Sequence, residues 1–482
     1  MFKSVARNFS ILTLATVVEA VISFLYLAFV ARQFGPALFG TYVLISVYVH
    51  VVSIIVNAGL EPIAVRELAR HRDNATELFN DLFSLRLVLG IFAYLVLILV
   101  ATLSLEQQDY IAIMGIAGLT LLIEPFTASC RVYYTAHERM SIPSAYGVAT
   151  AVLSALAGST LLILGFGLLE LILSNVAVTL TIGLIWCLRF HTRVICFRFR
   201  VRFRAWRRLL VLIIPFAPIH ASIQINRVLN VFLLGHIKGP LPMDQSVGYY
   251  GPANSVSNTV VRLVMGMRRA LIPPIAAKLG RGHSVTREID VALKLVMVLF
   301  CLPLILGTAY MSPEIIALLF GDQYAPSAMV LQMLGWAVAL QIAAFVPEIF
   351  LFAHPDHKMQ DYITGPVVTI ALNALLCALL IPQYGILGAA AAAISGRLVY
   401  LLFLAYYFRR QAPEEALRPW DFKDVGILIV SSFVAWQLAF SWIENTWLAF
   451  LSAGLATLPL MAFYLLYLRS KSIVQATDGQ AR

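Results

Sequence analysis

Long apolar runs, each ended by a short cluster of glycine, proline or charged residues, recur along the whole chain. Each run reaches about twenty residues, which is enough for an α-helix to cross a hydrocarbon layer ~30 Å thick. The pattern predicts an all-α polytopic membrane protein with about fourteen transmembrane helices. The predicted spans are residues 9–31, 41–60, 82–104, 109–130, 143–165, 168–188, 209–235, 247–273, 288–311, 325–351, 361–382, 384–408, 424–443 and 446–468.

The amino-acid composition agrees with a largely membrane-embedded chain. Of 482 residues, 60% are hydrophobic and only 12% are charged, whereas soluble domains carry about 25% charged residues. Lys3 and Arg7 precede the first apolar run as in a signal peptide, but the run is too long and lacks a small-residue cleavage site. We therefore expect it to be retained as a helix. The five cysteines have no paired spacing, so we predict neither disulfides, nor a metal site, nor a cofactor.

Positive charge is concentrated in alternate loops between the predicted spans. The opposite set of loops holds only Arg32 and Lys238 among the basic residues. The positive-inside rule places the positively charged loops in the cytoplasm, and with them both termini. The chain is thus predicted to cross the plasma or inner membrane of a cell.

The most basic segment is "CFRFRVRFRAWRR", residues 196–208, which lies between the sixth and seventh predicted spans. Together with the residues just upstream it places eight arginines between positions 189 and 208, and no acidic residue. Nucleic-acid binding would need a folded domain to present these charges, and the loop is too short to contain one. Two interpretations remain: a topology anchor that contacts anionic lipid head groups, or a surface that captures substrate.

The sequence repeats itself after this basic loop. "FGPALFGTY" (34–42) has an echo in "KGPLPMDQSVGYY" (238–250), "EPIAVRELAR" (61–70) in "PPIAAKLGRG" (273–282), and "LLILGFGLLE" (161–170) in "LLIPQYGILG" (379–388). The three echoes come in the same order, which indicates an internal duplication.

The repeat predicts a division of the chain into two six-helix lobes and an addition. We predict an N-terminal lobe at residues 1–190, an arginine-rich cytoplasmic linker at 191–208, a C-terminal lobe at 209–408 and two further transmembrane helices within 424–468. An even number of helices gives the two lobes the same orientation, related by a pseudo-two-fold axis along the membrane normal. Carriers that alternate between inward- and outward-open states are usually built in this way.

Three stretches resemble a known family of transporters. They are "ARNFSILTLATVVEAVISFLYLAFVARQFGPALFGTYVL" at the first span, "NAGLEPIAVRELAR" after the second, and "WRRLLVLIIPFAPIHASIQINRVLNVFLLG" at the start of the second lobe. They are similar to oligosaccharide flippases of the Wzx type, which belong to the multidrug, oligosaccharidyl-lipid and polysaccharide exporter superfamily. Fourteen spans suit the polysaccharide branch. Many members carry an aspartate near the middle of the seventh helix, where this chain has Arg227 and Asn230 in "INRVLN".

The resemblance implies transport of a polyprenyl-pyrophosphate-linked oligosaccharide from the cytoplasmic to the outer face of the membrane. It also implies that glycosyltransferases and a polysaccharide polymerase act before and after this step, and that the chain is not itself an enzyme. Two alternatives remain: an exporter of drugs or of another lipid-linked precursor, and an integral membrane polysaccharide polymerase or ligase.

Five basic residues inside the spans are candidates for binding the substrate. Ionisable groups at membrane depth are costly and by default face an internal cavity. Guanidinium groups suit pyrophosphate because they bind its oxygens through paired, charge-assisted hydrogen bonds. Arg227, Arg262 and Arg397 are the stronger candidates, whereas Arg86 and Lys294 lie near the cytoplasmic ends of their helices, where their side chains could instead snorkel to the interface.

Two carboxylates in the first predicted lobe are candidates for ion coupling. Glu19 lies in the middle of the first span and Glu124 towards the inner end of the fourth. Each could form a structural ion pair with one of the arginines, or take up a proton or cation that drives transport. The polar residues that could hydrogen-bond sugar hydroxyls are His50, Asn57, Gln224, Asn226, Gln341 and Asn373. Each could instead hold neighbouring helices together.

Overall fold

The computed structural model describes residues 2–57, 59–70, 74–104, 108–214, 217–279, 301–353 and 359–411, with Gln437 and Leu448. Its helices are α1 (Phe2–Asn57), α2 (Leu60–Arg70), α3 (Ala75–Ser104), α4 (Gln108–Gly118), α5 (Thr120–Ala136), α6 (Ser141–Ile163), α7 (Leu168–Arg193), α8 (Phe203–Ile213), α9 (Ala217–Leu234), α10 (Met243–Leu279), α11 (Leu302–Phe320), α12 (Ser327–Ala353), α13 (Met359–Tyr384) and α14 (Ile386–Gln411).

The predicted all-α polytopic membrane fold is confirmed. Within the described residues, eight helices are long and apolar enough to cross a membrane. The predicted fourth span is broken into α4 and α5, and the predicted seventh span covers the end of α8 and all of α9. Of the predicted thirteenth and fourteenth spans, only Gln437 and Leu448 are among the described residues.

The described residues form two compact units. The first draws on the described residues within 1–255, 319–324 and 359–389, and the second on the described residues within 256–318, 325–358 and 390–482. The second unit has a small core in which Cys301, Ile342 and Phe345 are buried together. The division into lobes at 1–190 and 209–408 stays a prediction.

The first two predicted spans are two segments of α1 joined at Gly35. Gly35 has a φ of 71°, which is open to glycine at little cost, and Pro36 begins the next segment. A 3₁₀ turn at Asp322–Tyr324 satisfies carbonyl groups at the end of the first segment. Tyr324 Oη donates to Ala31 O at 2.8 Å, and Gln323 Nε2 donates to Arg32 O at 3.1 Å. Burial raises the pKa of the Tyr324 phenol, which keeps it a neutral donor.

The second segment of α1 crosses the start of α10 at backbone contact. A Cβ added to Gly40 would overlap the carbonyl oxygen of Asp244, and a Cβ added to Gly248 would overlap the carbonyl oxygen of Pro36. The sequence offset from Gly40 to Gly248 equals that from Pro36 to Asp244. The contact is therefore reciprocal: each of the two repeated segments places its glycine against a backbone carbonyl group of the other. A side chain at either glycine would block this approach.

Two apolar clusters support the helices of the first unit. One is built from α2, α3, α5, α7 and α8, with Phe79, Phe83, Phe190 and Leu209 buried in it. The other is built from α1, α3, α4, α5 and α7. Between α7 and α8 the chain runs without helix from residue 195 to 202.

We expect Gly40→Ala and Gly248→Ala each to destabilise the protein. The added methyl group meets a backbone carbonyl that cannot rotate away, and overpacking of this kind costs about 1–3 kcal/mol. Because both changes push the same two helices apart, the double variant should lose less than the sum of the single variants. The measurement is the melting temperature of the purified protein.

The matched control is Gly115→Ala in α4, where the added Cβ would meet only the tip of the Ile98 side chain, at 3.3 Å. It should leave the melting temperature unchanged or raise it. Wild-type melting temperatures for both Gly40→Ala and Gly248→Ala would show that the crossing is not a tight contact.

Candidate functional site

A cavity of about 400 Å³ with both polar and apolar walls lies within the first unit, between α1, the α4–α5 pair and α7. Its volume falls in the range of small-molecule sites, which is about 300–1,000 Å³. The polar groups that line it are hydroxyl, imidazole, amide and carboxyl groups, on Tyr42, Ser46, His50, Ser53, Thr120, Glu124, Thr127, Asn175 and Thr179.

Each wall of the cavity is one face of a helix. On α1 the polar residues recur at every third or fourth position from Tyr42 to Ser53, and on α7 Asn175 and Thr179 are four residues apart. Several hydroxyls donate to carbonyls of their own helix: Ser46 Oγ to Tyr42 O at 2.9 Å and Thr179 Oγ1 to Asn175 O at 2.8 Å. Their oxygen lone pairs can still accept hydrogen bonds from a ligand.

Glu124 is the carboxylate that lines this cavity. Asn57 Nδ2 donates to Glu124 Oε1 at 2.6 Å, which orients the carboxyl group from the end of α1. Arg131 and Arg86 lie close enough for their charges to act on Glu124. Arg131 is itself paired with Glu61 on α2, with Nε 3.4 Å from Oε1. Glu124 therefore belongs to a group of charges that joins α2, α3 and α5.

Arg86 is completely buried, with none of its surface exposed. Its Nε, Nη1 and Nη2 atoms have no hydrogen-bond partner among the described residues. The side chain therefore does not reach the surface of the described residues, as the snorkelling alternative would require. On the same face of α3, the ring of Phe83 meets that of Phe126 of α5 edge-on, with 4.8 Å between the ring centroids, and Gly90 lies against Pro125. The buried guanidinium group lies within electrostatic range of Glu124 and Glu61.

Arg227 lies on α9 with an exposed side chain, close enough to His50 for its charge to act on the imidazole. His50 Nε2 is buried and has no hydrogen-bond partner among the described residues. The structure therefore associates one predicted substrate-binding arginine with the cavity wall. Its binding role stays a prediction.

The remaining predicted site residues lie elsewhere. Arg262 on α10 is exposed and Arg397 on α14 is half-buried, and both belong to the second unit. Lys294 lies outside the described residues. Glu19 is exposed on α1, and its carboxylate lies against Gly147 of α6, where an added Cβ would come within 2.8 Å of Oε2.

Asn230 and Asn373 form a neutral hydrogen-bonded cluster within the first unit. Asn230 Nδ2 donates to Tyr250 Oη at 3.1 Å and to Ala389 O at 3.2 Å, and Asn373 Nδ2 donates to Asn230 Oδ1 at 2.9 Å. Both amides are buried, at 9% and 4% exposure. Of the two roles open to Asn373, binding sugar hydroxyls or holding helices together, these contacts show that it links α13 to α9.

Sequence reasoning missed Tyr42, Asn175 and Arg131 as neighbours of the site. For two of them the sequence held a signal, which is helical spacing from a residue already chosen as a candidate. Tyr42 lies eight residues before His50 on α1, and Arg131 lies seven residues after Glu124 on α5, so each pair shares one face of its helix. Asn175 carries no such signal, because only the packing of α7 brings it to the cavity.

The chain matches one described protein family and a set of solved membrane transporters. A sequence profile for the family described as polysaccharide biosynthesis protein matches residues 29–329, more than half of the chain. The structure of the lipid II flippase MurJ in an inward closed conformation has a TM-score of 0.76 at 12% identity, covering 97% of this chain and 99% of that one. An inward-facing multidrug resistance MATE family transporter of the MOP superfamily has a TM-score of 0.57 at 11% identity, covering 83% and 96%. These likenesses establish the fold.

One curated relative matches over a shorter segment. It is the probable multidrug resistance protein NorM of Rhizobium meliloti (strain 1021), which is 31% identical over 169 residues. The match covers 33% of this chain and spans about a third of the relative, 35% of its length.

We expect Arg86→Met to raise the melting temperature of the purified protein. Burying a guanidinium group without hydrogen bonds is costly, and an apolar side chain of similar volume avoids that cost. The control is Arg66→Met on α2, an exposed arginine 3.6 Å from Glu67, which should change stability by less than about 0.5 kcal/mol. A lower melting temperature for Arg86→Met would show instead that Glu124 and Glu61 stabilise the buried charge.

Proposed function

Because the chain belongs to the polysaccharide biosynthesis protein family, we propose that it is a flippase for a polyprenyl-pyrophosphate-linked oligosaccharide. It would carry this lipid from the cytoplasmic to the outer face of the cell membrane by alternating access, with both of its termini in the cytoplasm. The family match over residues 29–329 is the observation that carries the proposal. The fold shared with the lipid II flippase MurJ over nearly the whole chain supports it.

The lining of the cavity is compatible with a hydrophilic ligand inside the membrane. Hydroxyl and amide groups on α1, α5 and α7 offer donors and acceptors in an otherwise apolar bundle. In such surroundings a polar group without a hydrogen-bond partner is costly. Polar groups therefore persist there when they are paired or serve a function. His50 Nε2 and Asn57 Oδ1 are buried and unpartnered among the described residues, so both can bind a ligand or a water molecule.

Arg227, Arg262 and Arg397 are proposed to bind the pyrophosphate during transport. Each lies on a helix of the membrane domain, and the first two are exposed. The planar guanidinium group binds two oxygens at once, whereas an ammonium group acts as a point charge. Arg86 and Lys294 were predicted for the same role. The complete burial of Arg86 favours a role in which its charge acts on Glu124.

Glu124 and Glu19 are proposed to couple transport to a proton or cation gradient. Glu124 is held by Asn57 at the cavity wall with Arg86 and Arg131 nearby. A change in the positions of these arginines would change how readily the carboxylate takes up a proton or cation. Glu19 is a second carboxylate on the first segment of α1, against α6.

Drug export is the second candidate function. The observation that favours it is the 31% identity to the probable multidrug resistance protein NorM, together with a carboxylate in a partly apolar cavity. A third possibility, polymerisation or ligation of polysaccharide, would require the protein to make or break a glycosidic bond, which is directly measurable.

The transport proposal is tested in proteoliposomes that contain the purified chain and a fluorescent lipid-linked oligosaccharide. We expect wild-type protein to translocate the lipid, and Arg227→Ala, Arg262→Ala and Arg397→Ala each to reduce the rate by roughly tenfold or more, as for the loss of a charge-assisted hydrogen bond. Each Arg→Lys variant should fall between wild type and Ala. Arg139→Ala, in the exposed turn after α5, is the matched control.

The same vesicles separate the candidate functions. Efflux of ethidium without movement of the lipid would favour the drug exporter, and a lengthened sugar chain would show a polymerase or ligase. Undiminished translocation by all three Ala variants would remove these arginines from the mechanism.

We expect Glu124→Gln to remove any stimulation of transport by an imposed proton or sodium gradient, because an amide cannot take up either ion. Glu19→Gln should do the same if both carboxylates take part. The control is Glu170→Gln, since Glu170 accepts from Gly167 N at 3.0 Å as the cap of α7. A wild-type protein that transports at the same rate with and without both gradients would refute ion coupling and leave the flippase proposal intact.

A further inference from the structure

The arginine-rich segment between α7 and α8 is held in a defined position. The backbone N–H of Arg198 donates to Asn80 Oδ1 at 2.8 Å, and the backbone N–H of Arg200 donates to Ser84 Oγ at 2.9 Å. Asn80 and Ser84 are one helical turn apart on α3. The extended segment therefore runs along this helix and is fixed by its backbone, which leaves its side chains available for other contacts.

Phe197 anchors the start of this segment in an aromatic cluster. Its ring lies 4.9 Å from that of Phe83 and 5.6 Å from those of Phe79 and Phe126, measured between ring centroids. This contact fixes the inward side of the segment. Phe199 and Val201, two and four residues further on, are nevertheless exposed, at 54% and 52%.

The helix that follows, α8, buries an apolar face and exposes a face on which apolar side chains and arginines are mixed. Leu209 and Ile213 are buried at 4% and 3% exposure and pack α8 onto the first unit. Phe203, Leu210 and Val211 are exposed, with Phe203 at 75%. Exposed arginines lie among them, at positions 204, 207 and 208.

The exposed side chains of residues 198–211 form what we call the basic platform. It combines large apolar side chains with arginines, and the sequence from 191 to 214 contains no acidic residue. It also begins where the membrane-spanning helix α7 ends at Arg193. Such a surface suits the boundary of a bilayer, where apolar side chains enter the acyl region and guanidinium groups meet phosphate.

We propose that the basic platform binds acidic phospholipid head groups of the adjacent leaflet. The charge complementarity is direct: Arg198, Arg204 and Arg207 are exposed and no carboxylate of the segment competes for them. The proposal concerns the lipid surroundings of the protein and does not depend on which substrate it carries.

Arg208 Nη2 lies 4.0 Å from Glu67 Oε2 on α2. Arg202 is the arginine that pairs the platform with α3. It forms ion pairs with Glu77 and, at 3.5 Å, with Asp81, both on α3. Together with Asn80 and Ser84 these acids form one face of the first turns of α3. Arg202 is therefore a positioning residue that attaches the platform to α3, and its charge is neutralised by protein rather than by lipid.

The test is native mass spectrometry of the full chain in detergent with added phosphatidylglycerol or phosphatidylcholine. We expect the wild type to bind phosphatidylglycerol more tightly. The triple variant Arg198→Gln, Arg204→Gln, Arg207→Gln should weaken that binding on the order of a hundredfold, from about fivefold per basic residue, with little change for phosphatidylcholine. The same three positions changed to Lys should keep most of the affinity, which also controls for folding.

The matched control removes three exposed arginines elsewhere, Arg66→Gln, Arg70→Gln and Arg139→Gln, with the same change in net charge. Equal weakening by both triple variants would mean that net charge alone attracts the lipid, and would overturn the proposal. Displacement of phosphatidylglycerol by inorganic pyrophosphate in the wild type would make the platform a substrate-capture surface, which would also overturn it.

Discussion

The backbone crossing of α1 and α10 at Gly40 and Gly248 is the contact on which the arrangement of the first unit depends. In a membrane, apolar side chains gain little by leaving lipid for protein, so helices associate through close packing and through contacts between backbones. Each glycine lets a carbonyl of the other helix approach its Cα. The cavity wall on α1 begins at Tyr42, two residues after Gly40, so this crossing also sets the position of the polar face that follows it.

The fold could be predicted from the sequence because its cause is distributed over the whole chain. Every apolar run must satisfy its backbone hydrogen bonds internally, and a helix does so wherever the run lies. The repeat of Gly40 at Gly248 was also visible as an echo. That the two glycines touch each other was not, because a repeat shows which residues correspond and says nothing about which of them meet.

The candidate site was harder to predict because burial and pairing depend on neighbours far away in the sequence. Glu124 could be identified as a carboxylate at membrane depth, but its partner Asn57 could not. Asn373 had the same appearance as Asn57 in the sequence and yet belongs to the packing cluster around Asn230. Arg86 shows the same limit: its position in the sequence allows snorkelling, but the structure buries it completely.

Helix α3 joins the features that the sequence showed only as separate charges. Its first turns hold the basic platform through Glu77, Asn80, Asp81 and Ser84. Two residues after Ser84, Arg86 lies buried within range of Glu124 at the cavity. A helix is stiff over this distance, so a displacement of the platform would move Arg86 with it. Because a charge enclosed in an apolar environment acts more strongly than one in water, even a small movement of Arg86 would change the electrostatic field at Glu124. The surface proposed to bind lipid and the carboxylate proposed to couple transport are thus connected through one rigid element.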